Sequence, residues 1–170
     1  MEHLLRWIEL KGTNRPTFLA SYFNDVDDAG HIYGPDTEET KEAIRSVDYE
    51  IGILIGGLKD RGIFDEVNIM IVSDHGMTEN YTDQVIFLDD YIDISTLELV
   101  DKGVFVPIRI KDHLPSKIDA LFSLLENAHP NMRVYKKNGF PENFHLTDNR
   151  RIQDLTVVAD DHWRILTHKS

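Results

Sequence analysis

"VNIMIVSDHGM", Val67–Met77, decides the fold. The short apolar run Val67–Val72 fits a strand buried on both faces, as in a parallel sheet covered by helices. It ends at once in an aspartate beside a histidine. Asp and Gly suit tight turns, so Asp74–Gly76 reads equally well as a turn with a solvated imidazole. An adjacent carboxylate and imidazole also offer one hard and one borderline metal ligand from a single loop.

Upstream, Ala43, Ile44, Val47, Ile51, Leu54, Ile55 and Leu58 recur at helical spacing, opened by a capping box of Asp36 and Glu39 and closed at Gly62. Before this helix lies "NDVDDAGHIYGPD", a polar loop, and before that "TFLASYF", Thr17–Phe23, a second buried strand behind the breaker Pro16. Strand, helix and strand in that order predict a right-handed βαβ unit. Both polar loops then fall at the carboxyl ends of neighbouring parallel strands, the edge where open α/β sheets bind ligands. Asp27 and His31 from one loop and Asp74 and His75 from the other can therefore face one crevice. Two such pairs suit a two-metal centre, with ions ~4 Å apart, acting on a displacement at phosphorus. Mixed carboxylate and imidazole donors favour zinc, with manganese or iron as alternatives. Asp25 and Asp28 are read as solvated loop charges.

The 170 residues suffice for one ordinary domain with a substantial core. A net charge of −12 opposes attraction to nucleic acid phosphates, and a bound cation would offset part of it. The absence of cysteine excludes disulfides, thiolate metal sites and cysteine nucleophiles. No apolar run is long enough to cross a bilayer, and "MEHLLRWIEL" lacks the pattern of a signal peptide. Further on, "GVFVPIRI" reads as a strand, with Pro107 suggesting an edge or bulge, and "LPSKIDALFSLLENA" as a helix opened by Pro115. Strands are predicted around "MRVYKK", "DLTVVAD" and "HWRIL". The expected organisation is an α/β sheet segment carrying both ligand loops over residues 1–95, followed by a smaller α+β lobe over 96–170.

"SYFNDVDDAGHIYGPD" resembles the D-x-x-G-H-x-x-G-P signature of the nucleotide pyrophosphatase/phosphodiesterase family, within the alkaline phosphatase superfamily, and "IMIVSDHGM" is similar to its second signature. "VIFLDDYID" and "RVYKKNGFPENFHL" also resemble the family, so the likeness covers most of the chain. Met77 after the DHG favours the phosphodiesterases over relatives that carry Asn there. The resemblance implies a partial alkaline phosphatase-like sheet with covering helices, Asp27 and His31 on one zinc, and Asp74 and His75 on the other. It implies hydrolysis of phosphodiester or pyrophosphate bonds, with nucleotides or other small phosphate esters as substrates. Attack on phosphorus would come from a Thr or Ser at a helix start.

That nucleophile is expected upstream of this chain. Thr13 precedes a predicted strand and Thr17 opens it, and neither stands at the head of a helix. His168 lacks the flanking glycines of the family's downstream ligand motif and reads as a solvated histidine, and His145 as a structural one. The chain is thus read as an internal fragment, inactive alone and self-associating through uncovered strand edges, from an exported protein (periplasmic, extracellular or membrane-anchored). Rival readings are a phosphoethanolamine-type transferase or a phosphomonoesterase of the same superfamily, and, from another class, a noncatalytic metal-binding module.

Overall fold

The computed structural model describes residues 1–147 and 149–168. It is a mixed α/β structure whose contacts divide the chain into two compact units, Met1–Glu79 and Asn80–Ser170.

In the first unit, helix α1 (Glu2–Ile8) lies on the long helix α3 (Glu38–Asp60). Leu5, its buried residue, seats against Gly57, where an added Cβ would collide with the leucine methyl groups. Between them in sequence, and packed on α3, is helix α2 (Asp25–Tyr33), where a polar loop was expected. The difference has a physical reason. Asp25, Asp27 and Asp28 crowd the first turn, where carboxylates complement the helix dipole, and Gly34 ends the helix at a φ of 104°. The start of α3 also differs from expectation. Thr37, not Asp36, is its N-cap, the hydroxyl oxygen accepting from the Thr40 amide at 3.4 Å. The Gly34 carbonyl accepts from the Thr37 and Thr40 hydroxyls at 2.9 and 2.8 Å, and Thr40 is buried. This knot fixes the corner between α2 and α3.

The two runs expected as parallel strands, Thr17–Phe23 and Val67–Val72, are not strands here, and among the described residues the first unit holds none. Phe18 is 84% exposed, Tyr22 75% and Met70 88%. A strand needs a partner's backbone as well as its own sequence, and these runs pair with none. The βαβ unit is therefore present as sequence pattern and helix, without its ladder.

The second unit realises its predicted elements. Strand β1 (Val85–Phe87) pairs in parallel with β6 (Arg164–Leu166), Ile86 opposite Ile165. Strands β2 (Leu97–Leu99), β3 (Phe105–Ile110), β4 (Met132–Lys136) and β5 (Leu155–Ala159) form an antiparallel sheet in the order β2-β3-β5-β4. Helix α4 (Pro115–Leu125), with proline in its first turn, packs on β4. Alternation along β3 turns Val106, Ile108 and Ile110 into a core with Leu155, Val157, Leu121, Leu125 and Met132. Pro107 was expected at an edge or bulge, yet β3 is an interior strand. Its carbonyl accepts from the Val100 amide at 2.9 Å, just beyond the end of β2, so its missing N–H faces a place where the neighbouring strand has stopped. Because β1 is tied to β6, the contacts place the division between units at Glu79/Asn80, ahead of the expected 95/96.

Candidate metal centre

Placing Asp27 and His31 on α2 changes how they meet. Four residues apart on a helix, they share one face, and His31 Nε2 stands 3.5 Å from Asp27 Oδ1. The loop after Val72 brings His75 of the second pair to the same carboxylate, with Asp74 beside it. His75 Nε2 lies 3.8 Å from Asp27 Oδ1 and 3.8 Å from Asp74 Oδ2. All four predicted residues therefore belong to one neighbourhood of the first unit.

The loop is braced internally. The His75 amide donates to Asp74 Oδ1 at 3.0 Å, and the Ser73 hydroxyl donates to the His75 carbonyl. His75 Nδ1 meets the Gly76 carbonyl at 2.9 Å, which makes Nδ1 the protonated nitrogen and leaves Nε2 of the neutral ring as a lone-pair donor. The Gly76 carbonyl, followed by the Asp74 carboxylate, raises the His75 pKa above the ordinary imidazole value. Asp27 adds to the rise, and partial loss of water opposes it.

The donor set fits a divalent cation. Asp27 Oδ1 is turned out of water and has no hydrogen-bond partner, although the side chain as a whole is 37% exposed. A buried, orphaned carboxylate oxygen facing two imidazole nitrogens is costly unless a cation or a proton satisfies it. Two ligands at zinc bond lengths on a tetrahedral ion sit roughly 3.3 Å apart, close to the separation of His31 from Asp27. No group of three or more His, Asp or Glu side chains is gathered as a complete cage among the described residues. What is present is two pairs, half of what closed four-coordinate sites require.

The other candidates lie elsewhere. Thr13 sits in a short 3-10 turn, Gly12–Asn14, and Thr17 in the unpaired run that follows. His145 takes a left-handed conformation, φ 52°, after the turn Glu142–Phe144. His168 was read as solvated, but its Nε2 pairs with Asp90 at 2.9 Å and its ring stacks on Phe87 at 4.0 Å. Asp28 is not merely a solvated charge, since it accepts from Asn24 Nδ2 at 2.5 Å across the first turn of α2.

Sequence reasoning gave Gly30 and Met77 no structural role. Gly30 is the buried residue of α2, and the Met77 thioether occupies the space where its side chain would stand. A glycine between Asp27 and His31 on one helical face was the available signal, hidden by reading the segment as a loop.

Asp–His pairs gathered on an α/β chain are the donor types a hydrolase site can use. The family model for type I phosphodiesterase/nucleotide pyrophosphatase matches residues 1–170, and the chain belongs to that family. It is 40% identical over 149 residues to human ectonucleotide pyrophosphatase/phosphodiesterase family member 5, covering 88% of this chain and 31% of that protein. It is 36% identical over 172 residues to a bis(5'-adenosyl)-triphosphatase of Xenopus laevis, covering 100% of this chain and 37% of that protein. The structure of murine ectonucleotide pyrophosphatase/phosphodiesterase 5 superposes with a TM-score of 0.79 at 37% identity, over 99% of this chain and 44% of that one. An inactive form of the murine protein in complex with AMP matches equally well. The fold is thus a partial alkaline phosphatase-like one. The chain spans 31–37% of the length of these two curated relatives.

Proposed function

We propose that this chain carries half of the ligand set of a two-zinc centre that hydrolyses phosphodiester or pyrophosphate bonds of nucleotides. The observation that carries the reading is the orphaned Asp27 Oδ1 between the His31 and His75 imidazoles. In this reading Asp27 and His31 hold one ion, Asp74 and His75 the other. The bound ions would supply positive charge beside the phosphoryl oxygens and lower the pKa of an attacking hydroxyl. The chain's own share is placement. α2 presents Asp27 and His31 on one face, and the Gly76 carbonyl holds His75 in the tautomer whose Nε2 can donate to a metal.

The nucleophile and the remaining ligands are assigned to the length of the relatives that this chain does not span, which makes the isolated chain inactive in this reading. An AMP complex of the murine relative and the triphosphatase name of the Xenopus protein support a nucleotide substrate. The "ecto" in the name of the human relative supports an extracytoplasmic setting.

Zinc titration of the purified chain tests the metal assignment. Weak binding is expected, because each ion has two protein ligands, and it should fall in both Asp27→Ala and His75→Ala. Unchanged stoichiometry and affinity in both variants would sink it. For the reaction, the polypeptide extended to the full length of its relatives should cleave a chromogenic phosphodiester in a zinc-dependent manner. His75→Ala should remove that activity by orders of magnitude.

A further inference from the structure

We propose that Met77 is a positioning residue whose thioether, seated on the bare backbone of Gly30, sets the distance between the two ligand pairs; this rests on the metal reading above. His75 and Met77, two residues apart in one loop, both reach α2. His75 Nε2 comes to 3.8 Å from Asp27 Oδ1, while the Met77 Sδ and Cε occupy the place of a Gly30 side chain. On α2 the two landing points are also matched, since Asp27 and Gly30 stand three residues apart on one helical face. The loop therefore docks at two points. One is a polar approach that needs a cation to become a bond, and the other is an apolar contact that needs nothing further.

With Met77 in this seat there is no room for a side chain at position 30. A Cβ there would overlap the Met77 sulfur and lie 3.0 Å from its Cε, so a larger residue displaces the flexible end of Met77. An unbranched, polarizable side chain suits the opposite half of the contact, because it can follow the groove over a bare helix backbone without a branched-chain clash. Only Gly76 separates anchor from ligand, and its carbonyl is bonded by His75 Nδ1 at 2.9 Å, so displacement of Met77 is passed to the His75 ring. Gly30 lies between Asp27 and His31 on the helix, so the same contact registers the loop against both ligands of the other pair.

The test uses the purified chain, with methyl-labelled methionine for NMR and zinc affinity measured by competition with a chromogenic chelator. An NOE from the Met77 methyl to the Gly30 α-protons is expected, together with NOEs from the His75 ring to α2. Met77→Ala and Gly30→Ala should each weaken zinc binding about 10-fold or more, as changes beside metal ligands commonly do, and Met77→Leu should restore most of it. In Gly30→Ala/Met77→Ala the loss should be smaller than the product of the single losses, because the new methyl group occupies space the thioether has left. Zinc affinity in Met77→Ala equal to wild type, or absence of the Met77–Gly30 NOE, overturns the inference and leaves the metal reading standing. A wild-type chain that takes up no zinc overturns the metal reading. In that case His75–α2 NOEs that vanish in Met77→Ala still uphold Met77 as the loop's anchor, and NOEs that persist overturn it.

Discussion

At the scale of single residues, protonation and metal binding compete for His75 Nε2. The Gly76 carbonyl, Asp74 and Asp27 all favour the imidazolium, so in the metal-free chain this ring keeps its proton to a higher pH than an ordinary histidine. The sign follows directly. A folded-state pKa above the unfolded one makes a stabilising contribution that is complete below the unfolded value and fades as pH rises through the raised one. Zinc requires the neutral ring, so uptake strengthens over that same rise. Titration of the ring resonances by NMR is expected to give a midpoint above the unperturbed histidine value of about 6.5, and Asp74→Asn should lower it. A midpoint at or below that value, or one indifferent to Asp74→Asn, contradicts this account.

At the scale of elements, two corners of the structure invite mutation. Thr40 is buried and gives its hydroxyl to the Gly34 carbonyl at 2.8 Å, so Thr40→Ala leaves an acceptor less satisfied at the turn from α2 to α3. A loss of about 1–2 kcal/mol is expected in chemical denaturation, with Thr40→Ser retaining most of the stability. In the second unit Leu125 of α4 is fully buried against the sheet, and Leu125→Ala should cost about 2–5 kcal/mol through lost burial and the cavity left behind. These elements also show what the sequence could reveal. β3, α4, β4, β5 and β6 were legible because each carries its own signal, whether alternation, an opening proline or a short β-branched run, and each finds its partner within the chain. α2 was misread because three aspartates, an asparagine and a glycine fill most of "NDVDDAGH", and composition outweighed the four-residue spacing of Asp27 and His31. The four candidate ligands were legible as residue types in two loops, but the approach of both histidines to one Asp27 oxygen was not. It depends on Met77 meeting Gly30, a contact without a periodic signature.

At the scale of the whole molecule, the sequence says more about sheet than the chain by itself can form. Thr17–Phe23 and Val67–Val72 have the composition of interior strands, and composition of that kind presupposes neighbours on both sides. Here their backbones pair with nothing, and Phe18, Tyr22, Met70, Ile71 and Val72 stand open to solvent. Exposed apolar runs with free backbone donors and acceptors are templates for pairing with another chain. Against this stands a net charge of −12, which repels like copies at long range and is screened by salt. The two effects respond differently to conditions, which makes their balance measurable. Sedimentation velocity of the purified chain is expected to show reversible self-association that strengthens with protein concentration and with added sodium chloride. Met70→Lys and Val72→Lys together should shift the distribution to monomer, because they place charge on the run without touching Asp27, His31, Asp74 or His75. A chain that stays monomeric at high concentration and high salt would mean that these runs are covered in solution by some rearrangement of the first unit, and the strand-edge account would have to be abandoned.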